Sequence, residues 1–151
     1  MMRTVRAIIG ATAAGGIALS LALAAGQATA GPRGPQAIAT PSTGLENGQT
    51  VSVTSTGWSA GQSLLATECA TLPTSAGVPG NTVCDARTGL VLTADATGTV
   101  TFKHVAATSF VGYAPPGRDP WGTVDCYRYP CSIGVADEAL SAMAIAPISF
   151  K

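Results

Sequence analysis

Charge is scarce in this sequence: eight Lys and Arg stand against eight Asp and Glu in 151 residues. There is no basic stripe, so the polypeptide lacks the electrostatic footprint of direct nucleic-acid binding. Histidine is nearly absent, and His104 alone could serve as a neutral-pH base. It lies between Lys103 and Val105 in an alternating segment, where a strand histidine has an ordinary structural place. Asp85, Asp95, Asp125 and Asp137 stand at turns or strand ends, where aspartate caps backbone amides. No serine motif is read as a nucleophile elbow, G-x-S-x-G, and Ser59 is taken as part of the Ser59-Ala60-Gly61 turn. In the exported part the glycines fall singly at turns and form no phosphate-binding loop. These shortages leave no catalytic constellation, and the chain reads as a non-enzyme.

The first thirty residues read as a signal peptide. Arg3 and Arg6 precede an apolar stretch from Ala7 to Ala25, and Ala28-Thr29-Ala30 offers small residues for cleavage. A membrane anchor is the alternative, but glycines, a serine and a threonine dilute the stretch. The chain is therefore expected to be secreted, with no membrane association after cleavage. Residues 31–39, rich in Gly, Pro and Ala, are expected to form a flexible leader, with structure beginning around Ala37. Residues 40–151 are of single-domain length. After cleavage six Lys and Arg face eight Asp and Glu, a net charge of −2.

All four cysteines, at 69, 84, 126 and 131, lie in the exported part. An even count in an oxidising compartment implies two disulfides. Of the three pairings, Cys69 with Cys84 and Cys126 with Cys131 is favoured, because each pair brackets turn-forming residues such as Pro79-Gly80-Asn81. No metal site is expected: the spacing is not C-x2-C, and His104 is distant in sequence.

Alternation of apolar with Ser or Thr residues predicts strands over 49–56 and 62–69, then 89–93 and 99–105. Further strands are expected at 121–128 and 143–150. Asp95-Ala96-Thr97-Gly98 reads as a hairpin connection. Short strands at even spacing predict an all-β, immunoglobulin-like antiparallel sandwich, with a small barrel or another sandwich topology as alternatives. Trp121 is assigned to the core in preference to a cleft wall. Tyr127 and Tyr129 sit on the 126–131 loop, either as a contact surface or with Tyr127 packed inward and Tyr129 shielding the disulfide.

Several blocks resemble the neocarzinostatin family of actinobacterial chromoprotein apoproteins across about residues 40–150. They include Pro41-Ser42-Thr43-Gly44-Leu45, Asn47-Gly48-Gln49-Thr50-Val51, Glu68-Cys69-Ala70, Cys84-Asp85 and Leu92-Thr93-Ala94-Asp95-Ala96. Ser109-Phe110 and Ala146-x-Ile148-Ser149-Phe150 belong to the same series. The most specific block is Trp121-Gly122-Thr123-Val124-Asp125-Cys126-x4-Cys131-x2-Gly134.

The resemblance implies a seven-stranded sandwich with a small two-stranded ribbon and the two local disulfides, one lining a cleft floor. It further implies a secreted, monomeric carrier that protects a hydrophobic aromatic ligand, an enediyne-like antibiotic chromophore bound non-covalently. Antibacterial and DNA-damaging activity would reside in that ligand, and no other cofactor is expected. Carried onto this chain, the cleft would involve Cys69, Thr71, Cys84, Tyr113, Pro115, Pro116, Ser132, Gly134, Ala136 and Asp137. Thr71 stands where the family's namesake has an aromatic, and Ala136 where it has a serine. The loop at 112–118 is one residue longer, has lost the phenylalanine that closes over the drug, and leaves Tyr113 as its aromatic. The first disulfide loop is longer by five residues. The runner-up reading is an extracellular structural or interaction domain that has lost chromophore binding.

Overall fold

The computed structural model describes residues 34–114 and 119–151, which form ten strands in two sheets. The smaller sheet takes β1 (Gln36–Thr40), β2 (Thr50–Thr56) and β6 (Val100–Val105), in the order β1-β2-β6. The larger contains β3 (Ser63–Thr71), β4 (Thr82–Cys84), β5 (Leu90–Thr93) and β7 (Ser109–Tyr113). It is completed by β8 (Pro120–Asp125), β9 (Cys131–Asp137) and β10 (Met143–Ile148). Its order is β10-β9-β3-β4-β7-β8, with β5 also paired to β3. Every strand pairing is antiparallel. The all-β, antiparallel, twice-disulfide-bonded class read from the sequence is present. Seven strands make the sandwich body, β7 and β8 make the ribbon, and the three-residue β4 joins the ribbon to the body.

Side chains alternate across each strand, so one face of each sheet supplies the core. Val51, Val53 and Ser55 turn inward from β2, and Val100, Phe102 and His104 from β6. Leu64, Ala66, Glu68 and Ala70 answer from β3, with Ile133 and Val135 from β9. Trp58, after β2, is buried, and its Nε1 donates to Ser55 Oγ at 2.8 Å. Ser55 Oγ in turn donates to the Gln36 carbonyl at 2.8 Å. This relay satisfies two buried polar groups and ties β1 to the core.

Three expectations require correction. Residues 36–39, expected in a flexible leader, belong to β1, which pairs with β2 from Gln36↔Thr56 to Thr40↔Ser52 and buries Ala39. The Asp95–Gly98 turn is not a hairpin: it carries the chain from β5 in one sheet to β6 in the other. The turn chemistry is nevertheless as read, with Asp95 Oδ1 accepting the Thr97 and Thr99 amides. Trp121 is 36% exposed and edge-on to Tyr129, with ring centroids 6.2 Å apart. The core tryptophan is Trp58, whose neighbouring glycines disguise it as a turn residue.

At the 126–131 loop, Tyr127 is 63% exposed, its hydroxyl on the Lys151 carbonyl and its ring near Phe150. Tyr129 is the residue that packs against the core.

Candidate functional site

The site arises from the way β3 shares its edge. One edge pairs with β9 from Leu64 to Ala70. The other pairs with β5 at Ser63–Ala66 and then with β4 at Cys69–Thr71. Between those two ladders, at Thr67 and Glu68, this second edge has no ladder partner among the described residues. The segment leaving β4 bridges the gap: the Asp85 amide donates to the Glu68 carbonyl at 2.8 Å, and Thr67 Oγ1 donates to the Asp85 carbonyl. The chain then swings out through 86–89 before rejoining as β5, and a cleft opens in the bend.

The cleft has a volume of about 410 Å³, within the range of small-molecule sites. Its floor is the outer face of β3 and β9: Leu65, Thr67 and Cys69 beside Gly134 and Ala136. One wall is the Cys69–Cys84 disulfide with Asp85 and Ala86, and Tyr113 and Ala114 close the ribbon side. Val91 stands on the β5 side, and Leu140 and Met143 on the β10 side. The lining is aliphatic and sulfur-rich, and Tyr113 is its one aromatic among the described residues.

Polar groups near the cleft are mostly already engaged. Asp85 is buried, with Oδ1 accepting the Arg87 amide at 2.9 Å and Oδ2 accepting the Thr88 hydroxyl at 3.0 Å. It therefore shapes the 86–89 turn. Asp137 does the same for the next loop, accepting the amides of Ser141 at 2.6 Å and Ala142 at 3.2 Å as well as the Ser141 hydroxyl. The Ser141 hydroxyl is the main reason that its carboxyl is held below the usual carboxylate range, with the Ala142 amide second.

The expected cleft residues separate into three groups. Cys69, Cys84, Tyr113, Gly134 and Ala136 line the cleft together. Thr71 and Ser132 share the outward face of β3 and β9 but lie beyond its end, and Asp137 acts on the adjoining loop. Pro115 and Pro116 lie outside the described residues. Sequence reading missed Leu65, Val91, Leu140 and Met143. Period-2 alternation could have flagged Leu65, since Leu64-Leu65 places one leucine on each face of β3. Nothing in the sequence signals Leu140, which reaches the cleft from a loop with a positive φ of 54°.

Both disulfides join as read, Cys69–Cys84 across the paired strands β3 and β4, and Cys126–Cys131 around the 127–130 turn. Glu68 Oε1 lies 3.7 Å from Cys126 Sγ, but that sulfur is committed to the disulfide and offers a metal no thiolate.

The reading that no serine motif has the elbow pattern needs correcting, since Gly57-Trp58-Ser59-Ala60-Gly61 is spelled G-x-S-x-G. The structure places it in the turn between β2 and β3, where no helix follows. Ser59 is exposed there and its amide is held by Gln62 Oε1 at 2.9 Å.

The described residues thus form a small antiparallel sandwich with an apolar cleft on its larger sheet, walled on one side by a disulfide. The neocarzinostatin family model matches residues 37–150, and the chain belongs to that family. It is 35% identical over 105 residues to macromomycin of Streptomyces macromomyceticus, covering 70% of this chain and 69% of that protein. It is 32% identical over 121 residues to the antitumor antibiotic C-1027 apoprotein of Streptomyces globisporus, covering 80% of each. The solved structure of macromomycin superposes with a TM-score of 0.68 at 37% identity, over 78% of this chain and 99% of that one.

Proposed function

We propose that the protein is a secreted, non-catalytic carrier that holds a hydrophobic aromatic small molecule, an enediyne-type antibiotic chromophore, in the β3–β9 cleft. The ligand is bound non-covalently and protected there, and any antibacterial or DNA-damaging activity belongs to it. The observation that carries this reading is the cleft itself: about 410 Å³ of open, apolar space on a disulfide-pinned sheet, in a chain whose relatives include an antibiotic apoprotein. The carboxylates at its margin are occupied by backbone and hydroxyl donors, which argues for holding rather than for chemistry. Residues 1–30 act as the export signal, and the mature protein works as a monomer without contacting DNA itself.

Native mass spectrometry of the protein secreted by its own host tests the reading. The expected mass is that of residues 31–151, less four hydrogens for two disulfides, plus a dissociable light-absorbing ligand. A bare polypeptide that also fails to take up hydrophobic aromatic probes would overturn it. Under the alternative, a structural domain that has lost its ligand, the cleft should be filled or shallow; its open volume counts against that view.

A further inference from the structure

The 86–91 segment stands between two cavities. Ala86, Gly89 and Val91 line the cleft, whereas Thr88 and Leu90 turn to the other side. There they bound a second cavity of about 260 Å³, together with Lys103, His104 and Val105 of β6. It lies on the flank where the sheets leave edges unpaired, since β6 pairs only with β2 and β5 only with β3. His104 is the buried polar group at this flank. Its Nε2 lies 3.2 Å from Glu68, and its side chain is 4% exposed. Its other ring nitrogen, Nδ1, has no hydrogen-bond partner among the described residues. Those residues leave no fully buried side-chain nitrogen or oxygen without a partner, so Nδ1 keeps an opening to solvent, and this cavity supplies it.

We propose that this flank cavity is a second binding site, separate from the cleft, for a small aliphatic carboxylate held by His104 Nδ1 and the Lys103 ammonium. The short tail packs on Leu90 and Val105, which supply the apolar walls. The site does not depend on what the cleft holds. Its volume falls below that of drug-sized sites, so the occupant is small. The surrounding charges favour an anion. The two carboxylates on this side are already engaged, Glu68 by His104 and the Ala107 amide, Asp85 by the Arg87 amide and the Thr88 hydroxyl. β2 adds no charge behind β6, because Val51 stands opposite His104 and Ser52 opposite Lys103. The Lys103 and Arg87 side chains are exposed, and neither forms an ion pair with a described residue. An anion needs an N–H at Nδ1, which the ring presents as an imidazolium with Glu68 at its other nitrogen. Binding therefore takes up one proton from solvent. A charge-assisted hydrogen bond to a ring withdrawn from water outweighs the exposed lysine contact.

His104 is the single histidine of the sequence, so heteronuclear NMR of the isotope-labelled, disulfide-intact protein reads its ring nitrogens directly. Butyrate is the probe, with butyramide, its neutral analogue, and sodium chloride as controls. Butyrate should move the Nδ1 resonance saturably and leave the Gly134 amide, in the cleft floor, where it was. Butyramide and chloride should move neither. The affinity should rise as the pH is lowered while the acid stays ionised. Lys103→Gln should weaken butyrate about two- to fivefold, the range of an exposed ion pair. Val105→Glu, at a position 60% exposed, sets a carboxylate on the cavity wall and should weaken it about tenfold or more. Both substitutions lie at exposed strand positions and spare the core. An Nδ1 resonance that stays put or moves equally with a control would overturn the site. So would a Gly134 amide that titrates with it, an affinity level with pH, or full affinity in either variant.

Discussion

One carboxylate oxygen of Glu68 lies 3.2 Å from Nε2 of His104, and this contact spans the two sheets through the core. The Glu68 and His104 side chains are 2% and 4% exposed. The same oxygen accepts the Ala107 amide at 2.9 Å. Because Glu68 alternates with Thr67 and Cys69 on β3, the core pair and the cleft floor share one strand segment.

Breaking a buried ionisable pair from one side leaves the partner uncompensated, at a cost of about 3–5 kcal/mol. Glu68→Ala should fall in that range by urea unfolding, since it strands both His104 and the Ala107 amide. Glu68→Gln keeps an acceptor for the amide and should lose less than half as much. Equal losses for the two variants would show that the hydrogen bonds to Glu68 contribute little.

The two disulfides should differ in worth. The chain-entropy account gives about 3 kcal/mol for the Cys69–Cys84 loop and about 2 kcal/mol for the shorter Cys126–Cys131 loop. Removing Cys69–Cys84 by paired serine substitution should also reduce probe uptake, because that disulfide walls the cleft. Removing Cys126–Cys131 should leave uptake near wild type. Calorimetric binding beside urea midpoints separates the two effects. Loss of uptake on opening Cys126–Cys131 would contradict the placement of the cleft.

Most of the body could be read from residue alternation because β2, β3 and β6 each bury one face against the opposing sheet. Val51 and Val53 against Ser52 and Thr54 show this plainly. β1 escaped because Gln36-Ala37-Ile38-Ala39 follows Gly and Pro and buries only a small alanine, so its place comes from hydrogen bonding to β2. β9 escaped because Gly134 and Ala136 face the cleft, which erases the polar half of the alternation. The β5–β6 turn was misread for a different reason. A local Asx turn fixes a reversal of the chain but not which strand each arm then pairs with. The cleft was legible where it uses cysteines and illegible where it uses aliphatic side chains brought together by the split edge of β3.

Acid should weaken the fold through its turn carboxylates. Asp137 is held below the ordinary carboxylate value chiefly by the Ser141 hydroxyl, and Asp95 chiefly by the Thr97 hydroxyl and then the Thr99 amide. A carboxyl whose value is lower in the folded state stabilises fully above its unfolded value and loses that contribution as pH falls through the folded value. With unfolded values near about 3.9, urea midpoints should be level above that pH and decline below it. Asp137→Asn combined with Asp95→Asn should lower the midpoint at neutral pH and flatten the decline in acid. An acid decline just as steep in the double variant would assign the effect to other groups.

Gly98 is the glycine on which the sandwich closure depends most directly. It adopts φ +73°, and a Cβ there would fall 2.0 Å from the Trp58 carbonyl oxygen. The contact is built in, because the Trp58 amide donates to the Gly98 carbonyl at 3.2 Å, joining the β2–β3 turn to the β5–β6 turn. Gly61 has nearly the same φ, +75°, but open space around it. Gly61→Ala should therefore cost only the left-handed backbone penalty, about 1–2 kcal/mol. Gly98→Ala should cost clearly more, because the Trp58 backbone must move and its indole hydrogen bond to Ser55 moves with it. Thermal unfolding followed by tryptophan fluorescence reads both. Equal losses in the two variants would mean that the Trp58 turn yields freely and does not anchor the core.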